Sequence, residues 1–592
     1  MVNKKLKVLF VPISGVGHVN ACISIAETLI DRGHDVWFTV NGFWSGKLTK
    51  YGVKEVLLDK SDSPMDADNM AEVAKHMVTS GKIGGESALQ KARSRGTTIE
   101  LKMKYIQYLD EQLERLLPAI RPDVIIVDQF MTLPSVELSG IPCVWSWSAG
   151  PLVMVDDERA PPAASGLSAA GDKRLWQEFR QIRRNGTANS YMVFNDWVVG
   201  RGCEPLPDCA LKNSKNYLNI YGYPLELDYQ DIRPLGRNFV RLDNLKRTEQ
   251  YMTFTVPPEL AAKPGKLVYF SLGSMGAADV VNMRRLVAIL AKSPHRFIVS
   301  KGPLHMDYAL ADNMWGEASV PQIQVLPLVD LVLTHGGNNT VTETMFFGKP
   351  MIAMPLFGDQ YDNAQRLQDT GFGIRLDAYK CSEKELLAAI ESLLNDRAIT
   401  DRLAEVSRRI QTDNSLAKLP KLIEDFVQNP RKYIKYSSEL LTAKTRRLIT
   451  ASDPKTLRHS ETSPLNPSTG VSICSGGTVT TQMMSYHLKR ARIDTTQEPA
   501  VSAADHHNNG SNGSAGNVVN HRDKLLQHIR ELYLREDYSD VEFVFGPDVI
   551  HAHKLVLSVN SKWRQLLRGQ SSVDMEDTPL VAFKEVLRYL YN

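Results

Sequence analysis

Length, composition and charge already exclude several classes of protein. A chain of 592 residues has room for roughly four domains of about 150 residues, and 43% hydrophobic with 23% charged residues is an ordinary globular balance. The 70 Lys and Arg residues against 67 Asp and Glu residues give a net charge of +3, too even for a surface that coats a polyanion. We therefore expect no nucleic-acid partner.

The sequence predicts neither a secretion signal nor a membrane anchor. After the basic start, the apolar run covers only Val8 to Ile13, which is too short for a signal peptide. No apolar run approaches the roughly 18 residues of a spanning helix. The six cysteines form no C-x-x-C pair, which argues against a zinc ribbon and a dense disulfide framework. We expect a cytoplasmic chain without a metal site.

Elements of a parallel α/β sheet are predicted from Leu6 onwards, because short apolar runs alternate with amphipathic stretches of about a dozen residues. Residues Pro151–Gly202 have poor periodicity and are predicted as loop and short helix. The elements predicted before them are strands Val8–Val11, Val36–Val40, Val124–Val127 and Pro142–Trp147, with helices Ala21–Ile30 and Tyr105–Leu117, the latter ended by Pro118.

The same alternation restarts after a proline-rich connection at Pro257–Gly265 and continues to about Val427. The predicted elements are strands Leu267–Leu272, Leu331–Thr334 and Met351–Met354, with helices Val280–Lys292, Thr340–Phe347 and Leu386–Leu394, the last opened by a capping box from Ser382 to Glu385. Two doubly wound domains that face each other are the simplest interpretation.

The alternation stops near Ser437. Residues 431–500 contain 11 Lys and Arg against 5 Asp and Glu, and residues 502–520 are mostly small and polar, which predicts a disordered linker. Order is predicted to return at His521 and to continue to Asn592. The predicted domains are residues 1–250, 251–435, 436–520 (linker) and 521–592.

The first strand is followed by a turn that can bind a ligand. Gly15 and Gly17 allow a tight turn, and His18 stands where a strand's carboxyl end meets a helix start. Open α/β sheets bind ligands at such positions. The alternative is a histidine that only caps the helix. The turn lacks a full G-x-G-x-x-G, so a dinucleotide site is not predicted.

The second half contains a more informative stretch, Thr334-His-Gly-Gly-Asn-Asn-Thr-Val-Thr-Glu343. A strand, a glycine pair and a polar helix start together form an anion cradle, in which His335, Asn339 and Thr340 can donate to a diphosphate. Glu343 lies one turn into the helix, where a carboxylate can accept both hydroxyls of a ribose. The alternative is a glycine-rich turn with an N-cap and an acidic first turn.

Two further segments extend this pattern. Phe270-Ser-Leu-Gly-Ser274 ends a strand with small residues whose amides can meet phosphate. Asp359 and Gln360 place a carboxylate and an amide at the end of another strand, where they can hold sugar hydroxyls. A solvated helix N-terminus is the alternative for the second segment.

These residues together resemble the UDP-glycosyltransferase family over about residues 5–430. The resemblance is carried by Gly17-His18 and by Val320-Pro-Gln322, Thr334–Thr340, Glu343, Gly348–Met351 and Pro355–Gln360. It implies a GT-B fold, in which a nucleotide sugar lies between two Rossmann-like domains, and an inverting reaction that uses no metal and no cofactor.

The resemblance also assigns roles. It implies that His18 is the general base that deprotonates an acceptor hydroxyl, and that Asp128 orients its imidazole. The donor would meet Gln322 at the uracil and Glu343 at the ribose. The diphosphate would meet Ser274, His335, Gly337, Asn339 and Thr340, and the sugar would meet Asp359 and Gln360.

One position departs from the family pattern. Many relatives carry tryptophan three residues before the glutamine, where this chain has Ser319, which puts the geometry of base binding in doubt. Without an anchor, the chain resembles the family's soluble members, for which UDP-glucose is the expected donor. The expected acceptor is a small lipophilic alcohol or phenol, whose identity the sequence does not give.

The C-terminal part resembles a different family. Asp537–Phe545 followed by Ile550–Ser558 is similar to the start of a BTB/POZ domain, and Ala582–Tyr591 to a later helix of it. The match is incomplete and suggests a fused or mis-joined gene. It implies a protein partner or dimerisation through this tail. Two functions therefore compete: a glycosyltransferase with an appended fragment, and a BTB-type adaptor whose first part binds a nucleotide sugar.

Overall fold

The computed structural model describes residues 4–61, 63–64, 69–93, 95–212, 217–249, 251–433, 541–545, 548–552 and 572–574. The chain divides into two units, residues 1–458 and 459–592, which are described separately. The predicted linker at 436–520 lies outside the described residues, as do the predicted helix at Ala582–Tyr591 and most of the predicted BTB/POZ segment. The domain boundaries therefore remain predictions.

A seven-stranded sheet forms the amino-terminal lobe, and all of its neighbouring strands are parallel. The strand order is β3-β2-β1-β4-β5-β6-β7. Its strands are Lys7–Pro12 (β1), Asp35–Val40 (β2), Lys54–Leu57 (β3), Val124–Asp128 (β4), Cys143–Trp147 (β5), Leu218–Gly222 (β6) and Phe239–Leu242 (β7). Strands β4, β5 and β6 are buried along their whole length, as expected for a parallel sheet covered on both faces.

Helices cover this sheet. They are Val16–Asp31 (α1), Met70–Thr79 (α2), Ala88–Arg93 (α3), Arg95–Ile120 (α4), Pro134–Leu138 (α5) and Lys173–Gly200 (α6). On one face, α1 packs Cys22, Ile25 and Leu29 into a core with Val8 and Phe10 of β1.

A six-stranded parallel sheet forms the second lobe. Its order is β10-β9-β8-β11-β12-β13. Its strands are Leu267–Ser271 (β8), Arg296–Ser300 (β9), Met314–Glu317 (β10), Leu331–Thr334 (β11), Met351–Ala353 (β12) and Gly373–Arg375 (β13). Its helices are Pro258–Ala261 (α7), Gly273–Gly276 (α8), Val280–Leu290 (α9), Gln322–Val325 (α10), Asn338–Phe346 (α11), Gln360–Asp369 (α12), Glu383–Asn395 (α13), Arg397–Thr412 (α14) and Ser415–Gln428 (α15). The predicted capping box at Ser382 and Glu385 is confirmed at the start of α13.

The last helix of this series packs on the other lobe. Leu419, Ile423 and Phe426 of α15 join the apolar core beneath α1 and β1. Glu424 of the same helix accepts hydrogen bonds from Arg32, at the end of α1. The chain therefore crosses between the lobes twice, which ties them together.

The prediction for the end of α4 was wrong. The helix begins ten residues earlier than predicted and runs through Pro118 to Ile120. Pro118 lies in the last turn, so its missing N–H removes only a terminal hydrogen bond. The helix ends at Ile120 because the next residue, Arg121, has a left-handed φ of 51°.

The prediction for Pro151–Gly202 was also wrong, because it contains α6, a helix of 28 residues. Its buried face mixes Trp176 and Phe194 with polar Arg180 and Ser190, which conceals the helical period in the sequence. Gly186 lies against α3, where an added Cβ would approach the Ala92 carbonyl to 3.1 Å.

The described residues of the second unit form a small mixed sheet. Val541–Phe545 (β14) pairs antiparallel with Asp548–Ala552 (β15) and parallel with Ser572–Asp574 (β16). Phe543 of β14 is fully buried.

Candidate functional site

The two catalytic candidates lie at the switch point of the first sheet. Strands β1 and β4 are neighbours there, and their crossovers lead to opposite sides, which opens a crevice at their carboxyl ends. His18 lies in the first turn of α1, after β1, and Asp128 is the last residue of β4. Two residues 110 positions apart in the sequence thereby meet at one edge.

Their side chains form a histidine–carboxylate pair. His18 Nδ1 lies 2.9 Å from Asp128 Oδ2, and the side chains are 23% and 4% exposed. Ser148 Oγ, after β5, lies 2.6 Å from the same Nδ1. Because both partners engage Nδ1, Nε2 is the nitrogen left to accept a proton from another group.

Aromatic rings and two lysines surround this pair. Phe130 meets the His18 ring edge-on, with 5.5 Å between centroids. Lys102 Nζ lies 4.9 Å from the centre of the Phe130 ring. Lys212 Nζ lies 3.3 Å from the centre of the Trp147 ring and 5.2 Å from that of Trp145. Burial lowers the pKa of Lys212 well below its usual value, and the charge on Asp128 raises it.

The second sheet has an equivalent switch point between β8 and β11. The helix that follows β11, α11, begins at Asn338 with Gly337 as an N-cap that provides no side-chain hydrogen bond. The N–H groups of its first turn therefore remain available to an anion. Ser274 lies in the short α8, which follows β8, and is exposed.

His335 packs between two glycines at this switch point. A Cβ on Gly273 would lie 2.7 Å from His335 Nε2, and one on Gly337 would lie 2.4 Å from the same atom. Burial lowers the pKa of His335 to about 4, against a smaller upward effect of a hydrogen bond with the Ser271 backbone, so the ring is neutral near pH 7 and carries one N–H. The two glycines are needed because any side chain would displace this ring.

The Gly337→Ala variant should therefore bind UDP about tenfold more weakly, since the displaced imidazole loses roughly one hydrogen bond, about 1 kcal/mol. Calorimetric titration with UDP measures this. Gly200→Ala is the matched control, because nothing lies within 4 Å of its added Cβ. Unchanged UDP affinity in Gly337→Ala would show that His335 does not contact the donor.

Glu343 is buried in a charged network that the sequence does not predict. Arg247 Nη1 donates to Glu343 Oε1 at 2.7 Å, and Gln322 Nε2 donates to Oε2 at 2.5 Å. Arg247 also donates to Glu249 at 2.7 Å. Burial raises the pKa of Glu343, while Arg247 and then Gln322 lower it. Thr340 Oγ1 accepts a second, longer hydrogen bond from Gln322.

Two of the remaining predicted residues, Asp359 and Asn339, connect the two lobes. Asp359 Oδ2 accepts from the Gly150 amide at 2.8 Å, and Asn339 Nδ2 donates to the Gly17 carbonyl at 2.7 Å. Burial raises the pKa of Asp359, while the Gly150 amide and the charge on His18 lower it. Gln360 Oε1 accepts from the Leu356 and Phe357 amides, so it shapes the loop before α12. The candidate residues of both lobes therefore lie around one crevice.

Comparison with known proteins agrees with this arrangement. Residues 261–421 match the family model described as "UDP-glucoronosyl and UDP-glucosyl transferase". This region contains the second switch point and every predicted donor residue. The predicted resemblance to the UDP-glycosyltransferase family is thereby confirmed for this part of the chain. Residues 529–592 match the BTB/POZ domain model, so the predicted resemblance of both parts is confirmed.

Several curated proteins are similar to different shares of this chain. Oleandomycin glycosyltransferase of Streptomyces antibioticus is 24% identical over 70% of this chain and 89% of its own length. Human UDP-glucuronosyltransferase 1A6 is 27% identical over 49% of this chain, which covers 55% of the human protein. Sterol 3-beta-glucosyltransferase of Debaryomyces hansenii is 24% identical over 68% of this chain and 25% of its own length.

Solved structures confirm the predicted GT-B fold. The glycosyltransferase of kitacinnamycin superposes with a TM-score of 0.54 at 19% identity, over 72% of this chain and 100% of that one. The calicheamicin glycosyltransferase superposes with a TM-score of 0.52 at 17% identity, over 72% and 99%. Among the described residues of this chain, no helix combines the length and apolarity needed to span a membrane.

Sequence reasoning missed four residues that contact the candidate site. Arg247 and Glu249 lie in a polar segment between the lobes, where no periodicity or motif distinguishes them. Ser148 directly follows a predicted strand, and Lys212 lies in an irregular segment. Only the fold brings them close to His18 and its neighbours. The charges of Arg247, Glu249 and Lys212 are visible in the sequence, but the contacts of all four residues depend on the order of the strands.

Proposed function

We propose that this protein transfers a hexose, glucose in the first instance, from a UDP-sugar to a hydroxyl of a small lipophilic acceptor, with inversion and without a metal. One observation carries the proposal: the His18–Asp128 pair of one lobe and the diphosphate cradle of the other share a crevice. Asn339 bridges to Gly17, next to His18, and Asp359 bridges to Gly150, near Ser148.

The chemistry follows from these positions. His18 Nε2 takes the proton of the acceptor hydroxyl, and the oxygen forms a bond to the anomeric carbon as the bond to the diphosphate breaks. The bonding electron pair leaves with UDP. The negative charge that develops on UDP meets the N-terminus of α11 and the N–H of His335. Attack from the face opposite the leaving group inverts the anomeric centre.

The donor and acceptor classes rest on the relatives. The chain matches glucosyl- and glucuronosyltransferases, and two of those relatives are named for oleandomycin and a sterol. Phe130, which is partly exposed, supplies apolar surface beside His18, which suits an acceptor of lipophilic character.

A mass-spectrometric screen tests the proposal. The full chain is incubated with UDP-glucose, UDP-galactose or UDP-glucuronate, a panel of phenols and alcohols, and either magnesium or a chelator. We expect hexosylated products with UDP-glucose that are unchanged by the chelator. Products only with UDP-glucuronate would overturn the donor, and chelator-sensitive products would overturn metal independence. Failure of every donor and acceptor would overturn the activity.

The Arg247 network makes donor binding dependent on pH. Arg247→Met removes the cation that lowers the pKa of the buried Glu343, so this pKa rises further and less of the carboxylate is ionised near neutral pH. The ribose hydroxyls need the ionised carboxylate as acceptor, so affinity for UDP should fall about tenfold near neutral pH and recover as the pH rises.

Titrations with UDP at about pH 6 and about pH 8 measure this difference. Glu343→Ala should bind weakly at both values. Arg32→Met is the control, because Arg32 also pairs with a buried glutamate, Glu424, at a position away from the cradle. Tighter UDP binding in Arg247→Met would contradict the account, because it would mean that Arg247 competes with the donor.

The BTB/POZ match supports a second proposal for residues 529–592, which is that they bind a protein partner or a second copy of the chain. Light scattering on the full chain tests the second copy. We expect the mass of a dimer at micromolar concentration, and a monomer mass would leave only a different protein as the partner.

A further inference from the structure

The surroundings of His18 contain more positive charge than a neutral lipophilic acceptor requires. Lys212 Nζ lies over Trp147 and within 5.9 Å of the centre of the Phe130 ring, and Lys102 Nζ lies 4.9 Å from the centre of that same ring. Phe130 in turn contacts the His18 ring. Two lysine side chains therefore flank the aromatic surface beside the reactive imidazole.

The fold holds Lys212 in this place. The Thr132 amide donates to the carbonyl of the preceding residue, Leu211, at 2.9 Å, which fastens the segment to the loop after β4. The aromatic faces beneath Lys212 attract its ammonium group but provide no full negative charge. Burial lowers the pKa of Lys212, and an anionic ligand group beside it would favour the charged form, so the two groups stabilise each other.

Asp128, the carboxylate whose charge acts on Lys212, is already paired with His18. Asp128 acts on Lys212 electrostatically, but its Oδ2 lies 2.9 Å from His18 Nδ1 and is 4% exposed as a side chain. An ion pair between Lys212 and Asp128 would weaken the hydrogen bond between Asp128 and the His18 imidazole. An anion supplied by the ligand removes this competition.

We propose that the acceptor carries a carboxylate, or an equivalent anionic group, that pairs with Lys212 while its hydroxyl faces His18. This inference rests on the proposed transferase function and narrows its acceptor to hydroxylated aromatic or alicyclic acids. Lys212 is then a specificity-determining residue that contacts the acceptor, and Lys102 adds to the local positive charge.

Matched acceptor pairs test the inference. Binding of para-hydroxyphenylacetate and of para-hydroxyphenylacetamide to the full chain with UDP is measured by calorimetry. Corresponding pairs built on phenylpropionate and naphthoate extend the panel. The hydroxyl and ring are the same within a pair, so only the charge differs. We expect the acid to bind at least about tenfold more tightly in one or more pairs.

Variants at Lys212 identify the group responsible. Lys212→Met should abolish the preference for the acid and change amide binding less than about twofold, whereas Lys212→Arg should keep most of the preference. Lys54→Met is the control, because Lys54 also lies over an indole, that of Trp37, but is 56% exposed on a different part of the sheet. It should leave the preference unchanged.

The outcomes separate the two proposals. If no pair shows a preference for the acid, or if the preference survives in Lys212→Met, the inference is wrong. Addition of UDP-glucose to the same mixtures tests transfer independently. Transfer to the amides without a preference for the acids would leave the transferase function standing and overturn only the inference. Preferential binding of the acids without transfer to any acceptor would overturn the transferase function and leave the pairing with Lys212 standing.

Discussion

His18→Ala should lower the rate of hexose transfer by about a thousandfold, the usual contribution of a well-placed general base together with its oriented partner. The imidazole is paired with Asp128 and Ser148 through Nδ1, so Nε2 is the atom that meets the acceptor proton. Without it, the hydroxyl must lose its proton to water as it attacks.

The same variant should keep its affinity for UDP within about twofold, because the groups that face the donor lie in the other lobe. The hydrogen bond from Asn339 to this turn is accepted by the backbone carbonyl of Gly17 and survives the substitution. Steady-state kinetics and calorimetry with UDP separate the two effects.

His295→Ala is the matched control. His295 also pairs with a carboxylate, since its Nε2 lies 3.0 Å from Glu391, but it lies just before β9, at the end of the sheet opposite the crevice. It should transfer at the normal rate. If His18→Ala loses UDP binding together with transfer, His18 is a donor-binding residue and its assignment as the base is wrong.

Asp128→Asn should lower kcat by between about a hundredfold and ten-thousandfold. The carboxylate can only accept from Nδ1, which fixes the proton there and leaves Nε2 free. An asparagine amide can instead donate to Nδ1, which favours the tautomer that carries its proton on Nε2 and cannot act as a base. It also lacks the negative charge that stabilises the imidazolium.

Steady-state kinetics distinguish this from loss of folding. KM for UDP-glucose should change little, because Asp128 lies in the lobe opposite the proposed donor residues. Asp110→Asn is the control for removing a buried carboxylate from the same lobe, where Asp110 accepts from the Ser135 amide. A kcat close to normal in Asp128→Asn would mean that the pairing with His18 is only structural.

Much of the fold was predictable because buried parallel strands appear in a sequence as nearly continuous apolar runs. Val124–Asp128 and Leu331–Thr334 are such runs, and both are central strands. The polar residues directly after them were therefore assigned to the correct edge. The meeting of His18 with Asp128 depends further on β1 and β4 being neighbours, which follows from the doubly wound order rather than from spacing.

What the sequence did not predict are the contacts made by irregular segments. Arg247 reaches Glu343 from the connection between the lobes, and Lys212 reaches Trp147 from a loop. Such segments have no period, so charge alone does not indicate which buried group they meet. The long helix α6 was missed for a related reason, because Arg180 and Ser190 occupy its buried face.

The anomeric configuration of the product tests the central claim most directly. The full chain is incubated with UDP-α-glucose and an acceptor that it turns over, and the product is analysed by proton NMR. Attack on the anomeric carbon by a hydroxyl that His18 has deprotonated, opposite a diphosphate held by α11, predicts a β-glucoside. An α-glucoside would contradict this geometry, because the acceptor would then have entered from the side of the departing UDP.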